Sequence, residues 1–100
     1  MIAEINDGTI LGRLIKSKTG KAVKAFLGIP YAAPPINELR FKAPQKVEKW
    51  EGVKSTQNDS PICTQINPFG RIFDVVTGQE DCLYLNVYAP GKRNIQPKLP

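Results

Sequence analysis

Apolar and polar positions alternate in two places along this chain, near its start and again in a late segment. Over the first thirty residues, positions 3–6 and 9–18 read as strands, and Asp7-Gly8 between them suits a tight reversal because both residue types tolerate positive φ. In the second of these strands Ile10 and Leu14 alternate with Leu11 and Ile15, so neither face is cleanly polar. Gly12 marks a bulge or a close backbone contact. Ser17-Lys18-Thr19-Gly20 supplies the next reversal, and residues 21–28 read as a third strand, with Val23, Ala25 and Leu27 on one face and Ala22, Lys24 and Phe26 on the other.

From residue 29 to residue 81 the periodic signal fades. Six of the nine prolines fall there, and each removes an amide donor and turns the preceding residue away from helix. A single helical turn is expected over residues 69–76. The rest reads as loops lying over a larger scaffold and anchored by Tyr31, Phe41 and Trp50, an arrangement awkward for a self-contained small domain. Alternation returns over residues 82–90, where Leu83, Leu85 and Val87 oppose Tyr84, Asn86 and Tyr88, a pattern suited to a strand packed on both sides, and Pro90 ends it. A polar loop follows at 91–96, and 97–100 look like the approach to another strand. Neither an internal repeat nor a domain boundary is visible, so residues 1–100 read as part of one domain.

Composition narrows the chemistry. The 100 residues are 41% hydrophobic, as in an ordinary globular chain, and contain no histidine. A Ser-His-Asp or Cys-His centre therefore cannot be assembled from these residues alone. The net charge of +5 raises contact with nucleic acid or an acidic membrane as options. Lys16, Lys18, Lys21 and Lys24, however, surround the Ser17–Gly20 reversal and read as solvated lysines that keep strands and hairpin tips soluble. Glu38, Glu48 and Glu51 interrupt the next basic stretch. Neither a nucleic-acid nor a membrane partner is expected. No apolar run reaches membrane-spanning length, and the first seven residues lack the basic start and apolar stretch of a secretion signal. If Met1 is the true start, a cytoplasmic location is expected.

No Gly-x-Ser-x-Gly elbow, phosphate loop, dinucleotide fingerprint or Cys-x-x-Cys pair occurs, and no cofactor or metal site is expected. Ser17, Ser55 and Ser60 read as turn or loop residues. Glu80-Asp81 is an adjacent carboxylate pair at a strand entry. Neighbouring strand residues face opposite ways, so structural pairing is expected rather than shared acid and base work. Eighteen residues lie between Cys63 and Cys82. A bridge between them would close a loop worth about 3 kcal/mol in the chain-entropy model, whereas a reducing compartment would leave two partly buried thiols, and the residues alone do not choose.

Two long segments go beyond composition. Phe26-Leu27-Gly28-Ile29-Pro30-Tyr31-Ala32-Ala33-Pro34-Pro35, followed by Leu39-Arg40-Phe41, Pro44 and Trp50-Glu51-Gly52, strongly resembles the N-terminal region of type-B carboxylesterases, the family that includes cholinesterases and bacterial para-nitrobenzyl esterases. The run from Glu80-Asp81-Cys82 to Tyr88-Ala89-Pro90 resembles that family's second signature, and Cys63-Thr64-Gln65 its cysteine-glutamine step. The resemblance runs from about Gly8 to Pro100. It implies an α/β fold in which this chain is the N-terminal, β-rich part of an α/β-hydrolase domain, with small-molecule carboxylic esters as substrates of the intact protein. The family's oxyanion segment, serine elbow, acidic residue and late histidine would all lie downstream, so no catalytic residue is expected here, and the remainder of its own domain is the expected partner. The resemblance also implies an ion pair between Arg40 and Glu80 and, as in secreted relatives, a disulfide between Cys63 and Cys82 around a surface loop in which Phe69 and Phe73 pack down or touch substrate. Two other functions stay open at this point: a non-catalytic, cholinesterase-like adhesion protein, and a small basic β domain that binds nucleic acid.

Overall fold

The structure, a computed structural model, describes residues 1–67 and 75–91. Its regular elements are eight short strands, β1 (Ile2–Ile5), β2 (Gly8–Leu11), β3 (Arg13–Lys16), β4 (Ala22–Pro30), β5 (Val53–Ser55), β6 (Gln65–Asn67), β7 (Val75–Thr77) and β8 (Tyr84–Pro90), with one 3-10 turn at Asn37–Leu39. No α-helix occurs among the described residues. The strands form three small sheets, ordered β1-β2-β5, β3-β4-β8 and β6-β7.

In the first sheet β1 and β2 are antiparallel, and β5 adds to β2 in parallel. Ile5 pairs with Gly8, so the hairpin loop is Asn6-Asp7, one residue earlier than the sequence pattern suggests. Gly8 is a strand residue, and the Trp50 indole lies over it where a Cβ would collide, so the position takes glycine for want of space. Trp50 also donates its backbone N–H to the Asp7 carbonyl at 3.0 Å and its indole N–H to the Thr9 carbonyl at 2.8 Å. One residue, through its backbone and its side chain together, thereby pins the end of the proline-rich loop onto the hairpin.

The single strand expected over residues 9–18 is instead two, divided at Gly12. A Cβ at Gly12 would stand 2.5 Å from the Ala25 carbonyl oxygen and 2.7 Å from the Phe26 ring, so only glycine lets the chain pass this close to β4 while leaving one sheet for the next. Beyond it, β3 pairs with β4 in the antiparallel register Arg13↔Ala25 to Lys16↔Ala22. The reversal between them closes with the Gly20 N–H donating to the Ser17 carbonyl at 2.9 Å.

β4 is the central strand of the second sheet, with β8 antiparallel on its other side and a register shift between Phe26 and Ile29. Gly28 sits at that shift with φ +75, and its N–H donates to the Asn86 Oδ1 at 2.9 Å. Burial on both faces of β4 supplies most of the core. Phe26, Ile29 and Ile10 form its centre, with Met1, Ala3 and Trp50 packed against them, and Ala25, Leu27, Pro30 and Ala32 are buried as well. Thr56, fully buried, joins the two sheets. Its N–H and Oγ1 both donate to the Leu11 carbonyl, at 2.8 and 3.0 Å, and its own carbonyl accepts the Leu27 N–H at 2.7 Å.

The stretch from 29 to 81 is as proline-broken as its sequence implies, but it contributes β5, β6 and β7 at three residues each. The helical turn expected over 69–76 lies mostly outside the described residues. Its last two positions, Val75 and Val76, belong to β7, where β-branched side chains favour extended backbone. Phe69, Phe73 and the strand approach at 97–100 also lie outside the described residues. The late strand begins at Tyr84 rather than residue 82, because the Tyr84 N–H turns back to the Cys82 carbonyl at 3.0 Å.

Candidate functional site

The chemistry-bearing residues converge at the entry to β8. Glu80, Asp81 and Cys82 are consecutive in sequence, and each is tied to a different part of the chain. The 3-10 turn at Asn37–Leu39 ends with the Arg40 N–H donating to the Asn37 carbonyl at 3.2 Å, which presents the Arg40 guanidinium to the Glu80 carboxylate. Asp81 Oδ1 accepts a hydrogen bond from the Tyr84 hydroxyl at 2.7 Å, an i to i+3 contact that closes the bend before β8. Cys82 is joined to Cys63, with 5.0 Å between their Cα atoms, at the base of the β6-β7 hairpin. There the Gln79 N–H donates to the Ile62 carbonyl at 3.0 Å and Cys63 bridges to Gln79 in parallel.

The electrostatics of these ties are those of a surface. The Arg40 and Glu80 side chains are 54% and 40% exposed, so solvent and salt screen the pair and its contribution is that of a surface bridge. Glu80, by its hydrogen bond first and its charge second, raises the Arg40 pKa further above an already high value. The Tyr84 phenol is pushed up to about 12 by its hydrogen bond to Asp81, then by burial, then by the neighbouring negative charge. Both groups are held in their ordinary protonation states near neutral pH, which suits fastening rather than proton transfer.

A cleft of about 440 Å³ lies beside these ties, walled mainly by apolar groups that include Pro30, Ala32, Pro34, Ile36, Trp50 and Tyr84. No nucleophile paired with a base faces it. Ser17 is far along the chain in the β3-β4 turn, where its Oγ accepts the Lys21 N–H at 3.1 Å and lies 3.0 Å from Thr19 Oγ1. Ser55 belongs to β5. Among the described residues no group of three His, Cys, Asp or Glu side chains is placed to hold a metal ion.

Arg40, Glu80, Cys63 and Cys82, singled out by resemblance, thus all meet at one place. Reasoning from the sequence missed the Tyr84–Asp81 hydrogen bond, although the i to i+3 spacing beside a strand entry was a usable signal. It also missed the Trp50 indole as the clasp of the first hairpin, which rests on a contact across 41 residues and leaves no local trace.

What these residues define is a structural framework of strands and fastened loops. The carboxylesterase family model matches residues 1–100. The chain is 39% identical to the medium-chain fatty acyl-CoA hydrolase precursor of Anas platyrhynchos, over 95% of this chain and 19% of that protein. It is 41% identical to a carboxylic ester hydrolase of Bombus ignitus, over 93% and 17% respectively, and 36% identical to liver carboxylesterase 1F of Rattus norvegicus, over 99% and 20%. The chain belongs to the carboxylesterase family, and it spans about a fifth of the length of the relatives it matches.

Proposed function

We propose that these residues are the N-terminal portion of a serine carboxylic ester hydrolase, part of a single α/β-hydrolase domain without an internal boundary. In the intact protein a serine outside residues 1–100 attacks a small-molecule carboxylic ester while a histidine takes its proton and backbone N–H donors hold the oxyanion; the ester C–O bond breaks, the histidine passes the proton to the departing alcohol, and water then cleaves the acyl-enzyme to release the acid. The role of this portion is positional. Arg40–Glu80, Tyr84–Asp81 and Cys63–Cys82 fasten the proline-rich loop and the β6-β7 hairpin to the start of β8, so that loops with little regular structure hold one conformation beside the sheet.

The observation that carries this reading is the family match across all 100 residues in a chain without histidine. The apolar surface left on β8, where Leu85 and Val87 are exposed, supports it further, because both faces of such a strand are ordinarily covered in a parallel or mixed sheet. The test is to treat the full-length protein with a fluorophosphonate and map the modified residue. Labelling of one serine outside residues 1–100, with loss of ester hydrolysis, is expected. Labelling of Ser17, Ser55 or Ser60, or hydrolysis untouched by the reagent, overturns the proposal.

A further inference from the structure

The charge of this chain is placed unevenly. Residues 8–37 hold five cations, Arg13, Lys16, Lys18, Lys21 and Lys24, and neither Asp nor Glu. The rest of the sequence carries nine charges of each sign, so the whole net charge of +5 falls on the segment built around the β3-β4 hairpin. Among the described residues the one ion pair is Arg40–Glu80, and none of these five cations has an acidic partner.

Register puts several of them together. In an antiparallel pair, residues opposite one another share a face, so Leu14, Lys16, Ala22 and Lys24 lie on one side of the hairpin. Lys16 and Lys24 are diagonal neighbours there, about 7–8 Å apart at their backbones and with no intervening acid. Like charges held this way repel, and an anionic group between them relieves the repulsion.

The backbone of β3 is equally unsatisfied. β3 is the edge of its sheet. The Ser17 N–H donates to the Lys21 carbonyl, so residues 13, 15 and 17 turn their backbone groups toward β4; the Ala22 carbonyl, opposite Lys16, is taken on the far side by the Gly91 N–H. By the same alternation, the N–H and C=O groups of Leu14 and Lys16 point away from β4, and among the described residues nothing pairs with them. Leu14, 60% exposed, lies in the middle of this edge.

From these placements we propose that the outer edge of β3 receives an extended, acidic segment of a partner protein as an added strand. The segment pairs with the outward amides and carbonyls of Leu14 and Lys16, sets carboxylates against Lys16, Lys18 and Lys24, and covers Leu14 with an apolar side chain. The lysines that stop two such edges from pairing with each other are then the groups that select an acidic strand. This inference does not use the ester-hydrolysis chemistry, and it requires the outer edge of β3 to stay free in the full-length protein, which is why the binding is measured on that protein.

The test uses the purified full-length protein and a fluorescent, acetylated octapeptide, Glu-Thr-Val-Thr-Glu-Thr-Val-Thr, whose Glu and Val side chains follow one another on a single face of the strand and so meet Lys16 and Leu14 on theirs. Anisotropy is expected to rise saturably, to weaken as salt increases, and to weaken about tenfold in Lys16→Glu/Lys18→Glu, whose two sites are exposed and leave the thermal transition in place. Leu14→Pro removes one outward N–H without touching the bonds to β4, and it is expected to lose binding, as is a peptide N-methylated at alternate amides. An absence of saturable binding overturns the proposal. So does equally tight binding of the N-methylated peptide, a single-stranded oligonucleotide or a phosphatidylserine vesicle, because each dispenses with strand pairing.

Discussion

Gly12 decides where the chain changes sheets, and it does so by lacking a side chain. Its buried position against the Ala25 carbonyl and the Phe26 ring leaves no volume for a methyl group. Gly12→Ala is therefore expected to lower stability by about 1–3 kcal/mol through overpacking, read as a lower urea midpoint. Arg40→Gln, by contrast, removes a surface pair and is expected to move that midpoint much less, and less still in high salt. Tyr84 carries a pH prediction whose sign follows from its partner. Its folded pKa of about 12 lies above the ordinary 10.0, so the neutral phenol is favoured by folding. The resulting stability is fully present below about pH 10 and is lost as pH rises toward 12. Tyrosinate absorbance should show one phenol titrating late, and Asp81→Asn should bring it down. An unchanged late titration in that variant would show that Asp81 is not the cause. The sequence marks Gly12 as a bulge or a close contact because a glycine interrupts an apolar run. Tyr84 carries no such mark, since the partner of a tyrosine hydroxyl is set by a local bend that alternation does not encode.

Elements were legible in proportion to their length. β4 at nine residues and β8 at seven show their alternation, and the sequence places both to within two residues at each end. β5, β6 and β7 are three residues each, too short for any period to emerge, and β5 exists only because β2 offers it a parallel edge more than forty residues away. The first hairpin is legible as a hairpin but slips by one residue, because the glycine that reads as a turn residue stands at a strand position where the Trp50 indole leaves no room for a Cβ. A related dependence governs the β6-β7 hairpin. Two strands alone are marginal in water, and this pair is fastened at its base by Cys63–Cys82 across a sequence separation of 19. Replacing both cysteines by serine is expected to lower stability by up to about 3 kcal/mol in the chain-entropy model. Hydrogen exchange should speed up first in β6 and β7, while the amides of β2 and β4 keep their protection. Equal loss across all strands would mean that the bridge supports the core and not the hairpin.

At the scale of the whole molecule, the sheets account for too little interior. Seven apolar side chains, Ile10, Ala25, Phe26, Leu27, Ile29, Pro30 and Ala32, are buried among the described residues, while Phe41, at 98% exposed and with φ 62, holds a large ring in solvent on a backbone conformation that bulky residues rarely adopt. A radius of gyration of 16.8 Å compares with about 13 Å for a packed domain of this length. Strained, exposed rings and thinly covered strands are stable features only where other protein supplies the missing contacts. The family resemblance supplies that interpretation, and composition had pointed the same way through the long proline-rich stretch. The consequence for activity is direct. Acyl transfer at neutral pH requires a base to take the nucleophile's proton, and without it a serine hydroxyl stays almost wholly protonated. No imidazole exists in these 100 residues, and the Ser17 hydroxyl is engaged with the Lys21 N–H in a turn. The 100-residue chain alone is expected to give no turnover of a short-chain nitrophenyl ester above the buffer rate, under conditions where the full-length protein hydrolyses it. Hydrolysis that copurifies with the 100-residue species would show that a catalytic centre forms within it, and the positional role assigned to Arg40, Glu80, Cys63 and Cys82 would have to be abandoned.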